Sequence, residues 1–80
     1  MSAARALDIE VYVRLLDEGV DVWRPVPAKP QAAGTFRLSR PEWYDPETET
    51  WEFLPETLVR CERKLFADGK RALVAVAEAP

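Results

Sequence analysis

Short apolar runs separated by turn residues fill this chain. From Ile9 to Leu16, the side chains of Ile9, Val11, Val13 and Leu15 alternate with Glu10, Tyr12 and Arg14. That period of two is the mark of a strand with one buried face. The same reading finds short β-rich runs at 20–26 (VDVWRPV), 35–39 (TFRLS), 42–45 (EWYD), 50–54 (TWEFL), 57–66 (TLVRCERKLF) and 71–78 (RALVAVAE). The breaks carry residues that turns require: Asp-Glu-Gly at 17–19, a Pro- and Gly-containing stretch at 29–34, Pro-Glu-Thr-Glu at 46–49 and Ala-Asp-Gly-Lys at 67–70. Only 57–67 hints at a helix, through Leu58, Cys61 and Leu65. Val59, Cys61 and Leu65 keep an even spacing over the same stretch, and Asp68-Gly69 then closes a hairpin, so a strand is the better reading. Five to six antiparallel strands in so short a chain indicate a small all-β barrel. Pro55-Glu56 adds a turn, read as one 3₁₀ turn near residues 55–58.

Loop length fixes which side chains face inward, because a one-residue slip reverses a whole strand. A two-residue Glu18-Gly19 loop would set Leu15 beside Val22 and put Trp23 outside, but it asks Glu18 for a positive φ. A three-residue Asp17-Glu18-Gly19 loop asks this only of Gly19. It pairs Leu16 with Val20, Val13 with Trp23 and Val11 with Pro25. Trp23 is then core, Arg24 faces outward opposite Tyr12, and Pro25 marks a bend or an edge. In the last hairpin, a two-residue Asp68-Gly69 loop sets Leu65 opposite Ala72 and Cys61 opposite Val76, with Cys61 a buried apolar residue.

Composition narrows the chemistry. The 80 residues read as a single domain, 1–80, with frayed ends at 1–7 and 78–80. One cysteine and no histidine exclude an internal disulfide, the common zinc sets and Ser-His or Cys-His catalysis. Three glycines build no phosphate-binding loop, and no cofactor or metal is expected. The acidic residues Glu42, Asp45, Glu47, Glu49 and Glu52 sit in or beside a turn, where solvent leaves them ordinary carboxylates. The chain is therefore read as non-enzymatic. No signal-like leader and no run near the ~20 apolar residues of a membrane span are evident, so the expected location is the cytoplasm.

Binding is the better-supported role. Tyr12, Arg24, Arg37, Arg40, Trp43 and Tyr44 form the expected contact patch, since exposed aromatic rings beside arginines are typical of interfaces. Trp51 and Phe53 share a strand face and are assigned to the core. The segment RPVPAKP (24–30) reads either as a stiff loop or as a polyproline-like ligand.

The stretches VYVRLLDEGVDVWRPV, YDPETETWEF, LVRCE and LVAV resemble a family of small, functionally uncharacterised bacterial proteins with SH3-like barrels. The likeness spans residues 11–77. The family often carries Pro-Gly after its Trp-x-Phe element, where this chain has Pro55-Glu56. The resemblance implies an SH3-like barrel and supplies neither a catalytic residue nor a ligand. The expected function is a non-catalytic protein-interaction or regulatory module of that type. Its partner would be another protein, and the chain a monomer or a weak homodimer through a sheet edge near Pro25–Gln31. The alternative is a nucleic-acid-binding barrel using Arg60, Arg63, Lys64, Lys70 and Arg71, against which the net charge of −3 counts.

Overall fold

Most of the alternating runs form strands, and the strands close on one another. The computed structural model describes residues 9–32 and 34–79. Its strands are β1 (Ile9–Leu16), β2 (Val22–Pro30), β3 (Thr35–Leu38), β4 (Thr50–Trp51), β5 (Leu58–Leu65) and β6 (Arg71–Glu78). They form one sheet in the order β2-β3-β5-β6-β1-β4, and β2 also pairs with β1. The result is a small all-β barrel, with no helix among the described residues and so none able to cross a membrane.

One contact departs from the antiparallel expectation. β1 meets β6 in parallel, through Tyr12 opposite Val74. The reason is geometric. The ring runs β1, β2, β3, β5, β6 and back to β1, and an odd number of strands cannot alternate in direction all the way round. β4 stands outside the ring, against Leu15 and Leu16 of β1.

Two expected strands change. Residues 42–45 are not a strand, and 50–54 contracts to Thr50–Trp51. Between Pro41 and Glu49 the chain instead makes consecutive turns, closed by Tyr44 N–H on Pro41 O at 3.0 Å and by Thr48 N–H on Asp45 O at 3.1 Å. The Asp45 carboxylate accepts the Glu47 N–H at 2.9 Å, a local bond that competes with any ladder. Conversely, β2 runs through RPVPAKP as far as Pro30, so this stretch is neither a loop nor a free polyproline ligand.

That extension decides the first hairpin. Leu15 pairs with Val22, Val13 with Arg24 and Val11 with Val26, one residue off the expected register. Carrying β2 to Pro30 adds Val26 and Ala28 as inward positions, and both are buried. A register that turned Trp23 inward would have turned these two outward. The turn reconciles this without straining Glu18: the positive φ values fall on Asp17 (64°) and Gly19 (80°). Trp23 therefore lies on the outer face and Arg24 on the inner one, the reverse of the expectation, and Tyr12 pairs with Pro25 rather than Arg24.

The last hairpin is also displaced by one. Leu65 pairs with Arg71, and Phe66 N–H donates to Lys70 O at 2.8 Å. The loop is thus Ala67-Asp68-Gly69, with Gly69 at φ 87°. This is the type I turn with a glycine bulge. Cys61 consequently meets Ala75, and a bulge beside Arg60 and Cys61 leaves Val76 unpaired. Cys61 remains buried, as expected.

The interior is built from Val11, Val13, Leu15, Val26, Ala28, Leu38, Val59, Cys61 and Ala75 around Trp51, which is 2% exposed. Phe53 packs against this cluster, in keeping with its assignment to the core. After it, Thr57 N–H donates to Leu54 O at 3.2 Å, and Glu56 sits at φ 73°. With Pro55 ahead of the positive φ, this is a type II β-turn and not the 3₁₀ turn expected at 55–58. Of the expected frayed ends, residues 1–7 and 80 lie outside the described residues. Glu78 pairs with Val59, and Ala79 N–H donates to Leu58 O at 2.8 Å.

Candidate functional site

Trp51 is buried, but its indole N–H still needs a partner. Glu49, two residues earlier and so on the same side of the chain, accepts it through Oε1 at 3.0 Å. The same carboxylate takes both arms of Arg24: Nε donates to Oε1 at 3.3 Å and Nη2 to Oε2. Arg24 reaches it because β2 turns that residue inward at the barrel's end. The Glu49 side chain is only 14% exposed. Burial alone would raise its pKa, but the hydrogen bonds from Arg24 and Trp51 and the Arg24 charge outweigh it and hold the carboxyl below its ordinary value.

This pair fixes the turn above it. The Arg24 guanidinium carbon lies 5.3 Å from the Trp43 ring centre. Trp43 and Tyr44 both lean on Trp51, at centroid distances of 6.1 Å and 4.8 Å. Arg40 covers Tyr44 at 5.4 Å. In a strand over 42–45, the adjacent Trp43 and Tyr44 would point to opposite faces. In a turn that constraint disappears, and Tyr44 is largely packed away while Trp43 stays 51% exposed. Beside Trp43, a groove of about 390 Å³ is lined by Ile9, Glu10, Pro25, Val26 and Pro27.

Four of the six expected patch residues, Arg24, Arg40, Trp43 and Tyr44, thus come together around Trp51. Arg37 does not join them. It stands on β3 and donates to Glu56 O at 3.0 Å, beside a depression of about 480 Å³ that it shares with Lys29, Arg40 and Glu56.

Tyr12 belongs to a second cluster on the outer face. The tip of the β5–β6 hairpin brings Phe66 to 5.4 Å from Tyr12 and 5.8 Å from Trp23. Lys64 lies over Trp23 at 5.7 Å, and Lys70 donates to the Tyr12 hydroxyl at 2.9 Å. That hydrogen bond is the main cause of a raised Lys70 pKa. Of the alternative basic patch, Arg63, Lys64 and Arg71 line one depression beside Leu65 near the hairpin tip, Lys64 and Lys70 also border these aromatic rings, and Arg60 pairs with Ala77 further along the ladder.

The sequence reading assigned Trp23 to the core and did not single out Glu49 or Phe66 as site residues. For Glu49 the signal was present: it stands two residues before a tryptophan that needed an acceptor.

The thiol of Cys61 is buried. Burial pushes the Cys61 thiol up to about 11. Among the described residues, no group of three or more Cys, Asp or Glu side chains is placed to hold a metal ion.

Residues 33–57 match the Kelch motif, a β-structured repeat associated with protein–protein contact. The match covers less than half of the chain. Kelch repeats form four-stranded propeller blades of about 50 residues. Here the matched stretch holds β3 and β4, which do not pair with each other: β3 joins β2 and β5, whereas β4 joins β1. The likeness lies in the pattern of strand, turn and aromatic residues rather than in a blade. No curated protein and no solved structure matches the chain.

Proposed function

We propose that this chain is a small, non-catalytic protein-interaction module whose contact surface centres on Trp43, with Arg24, Arg40 and Tyr44 around it. The observation that carries the reading is a half-exposed tryptophan held from beneath. Trp43 rests on Arg24 and Trp51, and both are fixed by Glu49. A rigid aromatic residue loses little entropy on binding, which is what an interface anchor requires. The Kelch-motif match across this segment supports a role in protein contact. The barrel, together with the VWRPV and YDPE stretches, supports the finer reading of one SH3-like unit acting in the cytoplasm.

Capture of partners from the source cell's lysate tests the reading, using tagged wild-type and Trp43→Ala chains with and without nuclease. Proteins retained by the wild type after nuclease and lost with Trp43→Ala are the expected result, with both chains giving the same circular dichroism spectrum. A catch that disappears on nuclease treatment would overturn the reading and move the site to the Lys64–Lys70 hairpin.

A further inference from the structure

The groove beside Trp43 has a one-sided hydrogen-bonding character. In a strand, successive residues direct their N–H and C=O groups to opposite neighbours. Val22, Arg24, Val26 and Ala28 pair with Leu15, Val13, Val11 and Ile9 of β1. Pro27 points the other way, since its carbonyl accepts the Ser39 N–H at 2.9 Å. Pro25 has the same parity as Pro27, and β3 ends at Leu38, before it could reach Pro25. The Pro25 carbonyl therefore faces the open edge, and neither proline has an N–H to offer.

The other lining groups continue the pattern. Ile9 presents apolar surface above the buried Val26, and Glu10 contributes a carboxylate. The Trp43 indole N–H is the single side-chain donor in the wall. The turn bearing Trp43 also carries Glu42, Asp45 and Glu47, all exposed. Of the nearby cations, Arg24 is engaged by Glu49, Arg40 lies over Tyr44, and Lys70, which interacts with Glu10 through its charge, donates to the Tyr12 hydroxyl. The groove accepts hydrogen bonds, is acidic at its rim and apolar at its base.

We infer that this groove takes an apolar segment of a partner protein bearing lysine or arginine, and discriminates against acidic segments. The inference rests on the reading of Trp43 as the contact surface. A volume of about 390 Å³ suits one or two side chains rather than a folded domain. The apolar side chain would pack on Trp43, Ile9 and the proline rings. The ammonium or guanidinium would meet the Pro25 carbonyl and the Glu10 carboxylate. An acidic segment would leave those acceptors unpaired and face like charge.

A library of random dodecapeptides, selected in parallel on the wild type, on Trp43→Ala and on the double variant Glu42→Lys/Glu47→Lys, tests this. The double variant changes only exposed side chains, so its fold should persist. Basic, apolar peptides enriched on the wild type and not on Trp43→Ala are the expected outcome. Their affinity should fall about tenfold on the double variant and weaken with added salt. Enrichment of acidic or uncharged peptides that still depends on Trp43 would overturn the partner chemistry and leave the contact surface standing. Enrichment indifferent to Trp43, or none at all, would overturn both. A Trp43-dependent dimer in sedimentation would place a second copy in the groove and also overturn the assignment.

Discussion

Glu56 holds φ 73° behind Pro55, in the position of a type II turn that glycine normally fills. Its Cβ makes the left-handed conformation costly, whereas glycine would adopt it freely. The turn survives because its neighbours fix it: Glu56 N–H donates to Leu38 O at 2.7 Å, and its own carbonyl accepts from Arg37. Glu56→Gly should therefore stabilise the fold by about 0.5–1 kcal/mol, after allowance for the extra freedom of glycine in the unfolded chain. Thermal or urea unfolding measures this, and an unchanged or lower midpoint would show that no relievable strain resides there. Trp51 and Phe53 were legible in the sequence from their shared face. Trp23 was not, because its direction depended on β2 continuing through Pro25 and Pro27 as far as Pro30.

At the scale of elements, the strands were easier to locate than their registers. β1, β3, β5 and β6 lie close to where the alternation put them. Both hairpin registers came out one residue away. In the first, two separated left-handed residues replaced the single one that loop rules favour. In the second, Phe66 and Lys70 extended the pairing to a three-residue loop. Residues 42–45 showed a strand's composition, but the Asp45 carboxylate and the prolines at 41 and 46 favoured turns. β2 is the element with most bearing on function. Pro25 leaves its open side without an N–H donor that a second strand would need. A Pro25→Thr variant should restore that donor and raise self-association with concentration in sedimentation velocity. Identical sedimentation of the two chains would mean that Pro25 does not guard that side.

For the whole molecule, two partly or fully buried ionisable groups set opposite limits on stability. Glu49 has a lowered pKa, so its contribution is present above its unfolded value near 4.5 and is lost as pH falls through the folded one. Cys61 has a raised pKa, so its contribution is complete below the unfolded value of 9.0 and is lost as pH rises towards about 11. The stability advantage of the wild type over Cys61→Ala should accordingly shrink between these two alkaline values, as read by urea midpoints. A constant difference across that range would place the thiol in contact with solvent. The barrel's closure has a further consequence, for the order in which the chain can fold. Tyr12 and Val74 are separated by most of the sequence, yet their contact joins the first strand of the ring to the last. During synthesis β1 and β2 emerge and can pair early, with Val11, Val13 and Leu15 still uncovered. Only when β6 has left the ribosome can the ring shut, so the nascent chain passes through a stage in which the apolar face of its first hairpin is uncovered.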